Sequence, residues 1–314
     1  MTRDRTVLVL GSTGRQGGAV ARRLTRDGWQ VRALTRHPRG PAALALSRAG
    51  VQVLEGNLSD RSSLRSAFHG AGAVFGVTEF WEHGARAEVR HGFALIDAAR
   101  AAGVDHVVFS SVGATERTQG LGITHFDSKR EIEAHLRASG LSWTILRPVT
   151  FFENFTSQRY RRDIRDHGRF RFAFVPDKPF QMVAMADLAE FAARALTEPA
   201  RYRGRALEIA SDRFTMEQFC RALGDAVGRP VRYQYLGPTT QRAVALYVTL
   251  TRQTGRFKVG LSLIDQFRWN NNSDVGGWNA DLDELRAIHP DLMTVDAWVQ
   301  SVDWTGDAPT AVAP

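Results

Sequence analysis

Cysteine is almost missing from this chain: Cys220 stands alone among 314 residues. A single thiol excludes an internal disulfide and makes a reducing cytosol the natural compartment. Lysine is nearly as scarce, with only Lys129, Lys178 and Lys258 in a chain of 41 basic residues. Long apolar runs are lacking too. The opening "MTRDRTVLVLGSTG" holds an apolar stretch of a few residues that glycines interrupt at once. That is too short for a signal-peptide core or a membrane span, so a cytoplasmic protein with no membrane association is expected. There is no internal repeat and no long linker. The histidines, such as His37, His69, His83 and His167, are scattered without metal-ligand spacing, so no metal is expected.

What is present is ordinary for a globular protein, 43% hydrophobic and 24% charged. The formal net charge is +8, and a basic surface attracts phosphates of any kind. One segment concentrates this charge. "SQRYRRDIRDHGRFRF" (Ser157–Phe172) interleaves arginines with aromatics. No nucleic-acid motif surrounds it, so it reads as a mobile basic loop or helix bordering a ligand cleft or partner surface, not as a nucleic-acid site.

The first half alternates short apolar strands with amphipathic helices. Strands are predicted at Thr6–Leu10, Gln30–Thr35, Val51–Gly56, Gly72–Val77, His106–Ser111 and Trp143–Pro148. Helical patterns fall near Gln16–Asp27, Pro41–Ala49, Arg61–His69, Ala85–Ala102 and Phe126–Ser139. This alternation predicts an α/β fold, a Rossmann-type doubly wound parallel sheet. After Pro148 the rhythm changes: 151–180 shows no regular strand period, Met185–Pro199 is an amphipathic helix, and Arg205–Ser211 reads as one more strand. The expected organisation is a dinucleotide-binding domain over 1–150 and a smaller, mixed C-terminal lobe over 151–305. A stretch near 181–211 returns to the first domain, and 306–314 forms a flexible tail.

"VLVLGSTGRQGG" places Gly11, Gly14 and Gly17 directly between the first strand and the first helix. Gly11 permits the tight turn, Gly14 lets the backbone approach a pyrophosphate, and Gly17 lets helix pack on strand. The second strand ends "RALTRHPRG", with Thr35, Arg36 and Arg39 and no acid to hold a ribose 2′-hydroxyl. Arg36 can pair bidentately with a 2′-phosphate, which favours NADP(H) over NAD(H).

With these residues in hand, the sequence resembles the NmrA-like family of atypical short-chain dehydrogenase/reductases. The resemblance rests on "GSTGRQGGAVARRL", "VTEFWE" (Val77–Glu82), "HFDSK" (His125–Lys129) and "RPVTFFENF" (Arg147–Phe155). It implies a Rossmann domain, NADP(H) as cofactor and a smaller lobe enclosing a ligand cleft. It further implies that Gly11, Ser12, Thr13, Gly14, Arg15, Gln16, Gly17, Arg36, Asn57, Leu58, Val77, Thr78, Lys129, Phe152 and Asn154 lie near the cofactor. Gly40 departs from the family, where basic residues are common.

Active short-chain reductases carry Y-x-x-x-K, with a serine on the preceding strand end. By that resemblance Lys129 matches the lysine, His125 stands at the tyrosine position, and Ser111 (or Ser110) approximates the serine. The lysine holds the nicotinamide ribose, a task for which arginine's broad planar head is a poor substitute. His125 is read in two ways: as the proton donor, or as a capping or ribose-contacting residue of a protein that no longer catalyses. Two functions stay open accordingly. One is an NADPH-dependent reductase acting on a small carbonyl, quinone or imine. The other is a redox-sensing regulator that binds NADPH or NADP and signals through a protein partner. A small-molecule substrate or ligand is the expected partner, with a protein partner or a homo-oligomer as further options.

Overall fold

The computed structural model describes residues 5–240, 257–272, 277–304 and 306. The chain divides into two compact units: Met1–Glu116, His125–Pro148 and Met185–Glu208 make the first, and Arg117–Thr124, Val149–Ala184 and Ile209–Pro314 the second. In chain order the elements begin β1 (Thr6–Val9), α1 (Arg15–Arg26), β2 (Gln30–Thr35), α2 (Pro41–Arg48), β3 (Gln52–Glu55), α3 (Arg61–Phe68) and β4 (Ala73–Val77). They continue with α4 (Phe80–His83), α5 (Ala85–Ala101), β5 (His106–Ser110), α6 (Thr124–Ala138) and β6 (Trp143–Pro148). Next come β7 (Thr150–Phe151), α7 (Gln158–His167), β8 (Arg169–Phe172), β9 (Phe180–Val183), α8 (Met185–Thr197), α9 (Pro199–Tyr202) and β10 (Ala206–Ile209). The chain then forms β11 (Asp212–Phe214), α10 (Met216–Val227) and β12 (Arg232–Tyr235), followed by helices at Phe257–Asn271, Leu282–Ile288 and Val295–Ser301.

The first unit is built on a seven-stranded sheet of order β10-β6-β5-β4-β1-β2-β3. The pairs from β6 through to β3 are all parallel, and β10 joins the edge through Ile145 N donating to Arg205 O at 2.9 Å. Strands covered on both faces read as continuous apolar runs, and every residue of β1 and of β5 is buried. Helix α5 and helix α6 meet at a glycine: a Cβ on Gly92 would stand 2.5 Å from Ile132 Cγ1. The order of the strands fixes where a ligand can bind. The chain leaves β1 for β2 and β3 on one side and returns to β4 on the other, which makes the C-terminal ends of β1 and β4 the topological switch point where open α/β sheets bind their ligands. The doubly wound Rossmann-type sheet expected from the alternation is therefore present, with strand bounds within two residues of the predicted ones. No helix among the described residues is long and apolar enough to cross a membrane.

The second unit holds a mixed three-stranded sheet, β11-β9-β7, antiparallel between β11 and β9 and parallel between β9 and β7. It corrects one reading. Within residues 151–180 one strand is complete, and the basic aromatic segment, expected as a loop or helix, is a helix (α7) that continues into that strand (β8), paired in parallel with β12. In "RFRF" the rings of Phe170 and Phe172 pack on Phe155, while Arg169 and Arg171 reach Asp163 at 3.4 and 2.7 Å. Arginine at every second position hid an ordinary period of two. Arg161 is itself buried, its Nε donating to Thr156 O at 3.0 Å. The flexible tail expected over 306–314 lies, apart from Gly306, outside the described residues.

Candidate functional site

The loop after β1 is shaped by its three glycines. Gly11 has φ +65°, and a Cβ there would stand 2.6 Å from Val77 Cγ1. Gly14 N donates to Gly11 O at 2.9 Å and closes the turn. A Cβ on Gly17 would meet Gly11 O at 2.5 Å and Leu10 O at 2.6 Å, both backbone atoms that cannot step aside. Helix α1 then starts from Gly14 with no side-chain cap and no acid in its first turn. Its first amide groups are left for a ligand, and the helix dipole favours an anion there. Ser12 Oγ is buried in the same loop and has no hydrogen-bond partner. Buried hydroxyls are normally satisfied, so a phosphate-bearing ligand fits this cradle. Thr13, Gly14 and Arg15 are exposed, and Gln16 is half-buried.

At the end of β2, Thr35 is buried and Arg36 is exposed. Arg36 Nη2 donates to both carboxylate oxygens of Glu82, at 2.9 and 3.1 Å. The Arg36 hydrogen bond holds the Glu82 carboxyl below the usual carboxylate range. Beyond β3, Asn57 Oδ1 accepts from Ser59 N at 2.8 Å, Leu58 packs half-buried on the core, and Ser59 Oγ lies 2.9 Å from His91 Nε2. Glu82 was not singled out from the sequence; it became visible only when α4 folded it back onto Arg36.

The loop after β4 meets α6 through Lys129. Its Nζ lies 2.9 Å from Thr78 Oγ1, 3.2 Å from Thr78 O, 3.1 Å from Glu88 Oε1 and 3.5 Å from Ser110 O. Glu88, on α5, is completely buried and also accepts from Thr78 Oγ1 at 3.0 Å and from Ser128 Oγ at 2.5 Å. An isolated ammonium is far too costly to bury, and this carboxylate is what permits it. Lys129 therefore joins the ends of β4 and β5 to α5 and α6.

One turn before it, His125 is 7% exposed and boxed in by rings: Phe126 at 4.6 Å, Trp81 at 5.1 Å and Phe80 at 5.5 Å between centroids. Trp81 is itself 46% exposed and forms the outer wall. At the end of β5, Ser110 Oγ donates to Gln16 Oε1 at 2.7 Å, linking the glycine loop to the strand that faces Lys129. Ser111 Oγ is buried without a hydrogen-bond partner. Gly11 to Gly17, Arg36, Asn57, Leu58, Val77, Thr78, Ser111, His125 and Lys129 thus all belong to the first unit, at or near the C-terminal ends of its strands. Phe152 and Asn154 belong to the second. There Asn154 is exposed, and Phe152 is fully buried between Phe214 and Trp298, at 5.6 and 4.9 Å.

A model of the NmrA-like family matches residues 3–299. A (4-alkanoyl-5-oxo-2,5-dihydrofuran-3-yl)methyl phosphate reductase of Streptomyces griseus is 35% identical over 242 residues, which are 76% of this chain and 80% of that protein. Among solved structures, an NADPH-dependent quinone oxidoreductase from Escherichia coli, complexed with NADPH, aligns with a TM-score of 0.76 at 25% identity, over 94% of this chain and 99% of that one. A negative transcriptional regulator in complex with NADP aligns equally well, with a TM-score of 0.76 over 96% of each chain, but at 20% identity it speaks for the fold alone.

Proposed function

The chain belongs to the NmrA-like family, and we propose that it is a cytoplasmic NADPH-dependent reductase, an atypical short-chain dehydrogenase/reductase acting on a small carbonyl, quinone or imine. The observation that carries this reading is Lys129: a buried ammonium held by Glu88 and Thr78 at the switch point where the glycine loop opens. Bound NADPH would supply the hydride. The protein's own residues do the rest. The amides of the first turn of α1, with Ser12, receive the pyrophosphate. Arg36 exchanges Glu82 for the 2′-phosphate, a better bidentate partner because it carries more charge. Lys129 has four acceptors within 3.5 Å for three protons, so a ribose hydroxyl competes first with Ser110 O, its longest contact. His125 stands one turn away on the same helix face and donates the proton to the developing anion. Trp81 must swing aside for a substrate to reach it.

Turnover decides the matter. With NADPH and a panel of quinones, aldehydes, ketones and imines, the protein should oxidise NADPH above background. His125→Ala should leave NADPH affinity nearly intact and slow turnover by about a hundredfold or more. The enclosure of His125 by Phe80, Trp81 and Phe126 favours a second reading, a non-catalytic NADPH/NADP redox sensor that acts through a protein partner. No NADPH oxidation across the panel, with cofactor bound, would decide for the sensor.

Cofactor choice gives an independent check. NADPH should bind more tightly than NADH, and Arg36→Ala should remove roughly tenfold to a hundredfold of that preference, since a charge-assisted contact contributes about 1.5–3 kcal/mol. Glu82→Gln frees Arg36 of its competitor. Because an exposed pair contributes only about 0.2–1 kcal/mol, NADPH affinity should rise by a few-fold at most and NADH affinity stay unchanged. Equal affinities for the two cofactors in the unaltered protein would remove the role given to Arg36.

A further inference from the structure

Helices α3 and α5 enclose a groove of about 650 Å³ within the first unit. Its floor is apolar, with Leu64 from α3 and Phe93, Ala94 and Ala98 from α5. Its walls are arginine. Arg61 and Arg65 stand one turn apart on α3, and Arg90 and Arg100 come from α5. The one carboxylate in the lining, Asp97, is already engaged by His135 at 3.0 Å and by Arg100 at 3.9 Å. Arg61, Arg65 and Arg90 thus meet no carboxylate among the described residues.

We propose that this groove is a binding site for an organic anion with an apolar body, separate from the glycine loop and from Lys129. The volume lies in the range of small-molecule sites, about 300–1,000 Å³. Like charges one turn apart on a helix disfavour it, so Arg61 and Arg65 serve the isolated α3 badly and an anion between them well. Guanidinium forks pair bidentately with carboxylate, sulfonate or phosphate oxygens. An inorganic ion would use the arginines and leave the floor of Leu64 and Phe93 uncovered; a neutral hydrocarbon would do the reverse. Only a ligand with both parts matches the whole groove. Phe93 is a rigid part of that floor, its ring stacked on His135 at 4.0 Å between centroids and 19° between planes. The proposal does not rest on the reductase reading, since none of these side chains takes part in it.

The probe is 8-anilinonaphthalene-1-sulfonate, with its uncharged parent N-phenyl-1-naphthylamine as the comparison, titrated calorimetrically against the full chain with and without saturating NADPH. The sulfonate should bind one site that NADPH does not displace, at least tenfold more tightly than the neutral parent. The Arg61→Ala/Arg65→Ala double variant should lose at least tenfold of that affinity with a melting temperature no lower than that of the unaltered protein, and Phe93→Ala should weaken both probes. Arg159→Ala/Arg162→Ala, which removes the same charge from α7, should change nothing. Binding that survives the α3 double variant, or that the neutral parent matches, overturns the proposal. So does a concentration-dependent dimer that the α3 double variant splits, because the groove would then be covered by a second copy of the chain.

Discussion

At the scale of single residues, Lys129 and Glu88 form a pair in which neither member is tolerable alone. Glu88→Gln keeps the shape and removes the charge, leaving the ammonium 3.1 Å from a neutral amide inside the core. Breaking a buried pair in this way costs about 3–5 kcal/mol, which chemical denaturation would register as a large drop in midpoint. Replacing both, Lys129→Met with Glu88→Gln, should recover part of that loss in stability while NADPH affinity falls, because the double variant has lost Lys129 and with it the ribose contact. If Glu88→Gln unfolds at the same denaturant concentration as the unaltered protein, the pair contributes nothing to stability. The lysine of this pair was legible: it is rare in the chain and follows His125 by one turn. The carboxylate was not. Glu88 lies on the face of α5 that carries Gly92, Leu95, Ile96 and Ala99, and a lone acid on an apolar stripe was the only available sign. Glu82 left even less trace, since α4, only four residues long, sets its partner.

At the scale of elements, β5 and β6 are tied by a histidine that must stay neutral. His106 is buried, with Nδ1 2.8 Å from Ser142 Oγ and Nε2 3.0 Å from Thr144 Oγ1. The Thr144 hydroxyl proton is already given to Tyr202 O, so Thr144 accepts from Nε2–H and Ser142 donates to Nδ1. Burial, reinforced by the nearby Arg203 charge, lowers the imidazole from 6.5 to about 4. Between those values the unfolded chain binds the proton and the folded chain does not, so acid favours unfolding. Stability from this group is complete above about pH 7 and is lost as pH falls toward 4, by about 3 kcal/mol in all. Denaturation midpoints followed from pH 7.5 to 4.5 should show this loss, and His106→Gln should flatten it; an equal slope in the variant would assign the acid sensitivity elsewhere. The strands themselves were legible because β1, β4 and β5 are mostly apolar runs, and β2 and β6 each carry an adjacent apolar pair ahead of a turn. Strand β8 was not, because its polar positions are arginines and its apolar ones aromatic, a mixture that suggests a surface before it suggests a ladder.

At the scale of the whole molecule, the formal charge of +8 predicts how an anionic cofactor arrives. Association of NADPH should slow as salt rises from about 0.01 to 1 M, over which the screening length falls from about 30 to 3 Å, while dissociation changes far less. Stopped-flow binding would separate the two rates, and a salt effect carried mainly by dissociation would contradict long-range steering. The same scale gives Gly92 a meaning beyond packing. Helix α5 has 17 residues, a rod of roughly 25 Å, and it touches α6 where Gly92 has no side chain to interpose. Glu88 stands one turn to one side of that contact, and Phe93, Asp97 and Arg100 stand beyond it on the other. A side chain added at residue 92 would press on Ile132 between the carboxylate that holds Lys129 and the groove lined by Phe93 and Arg100.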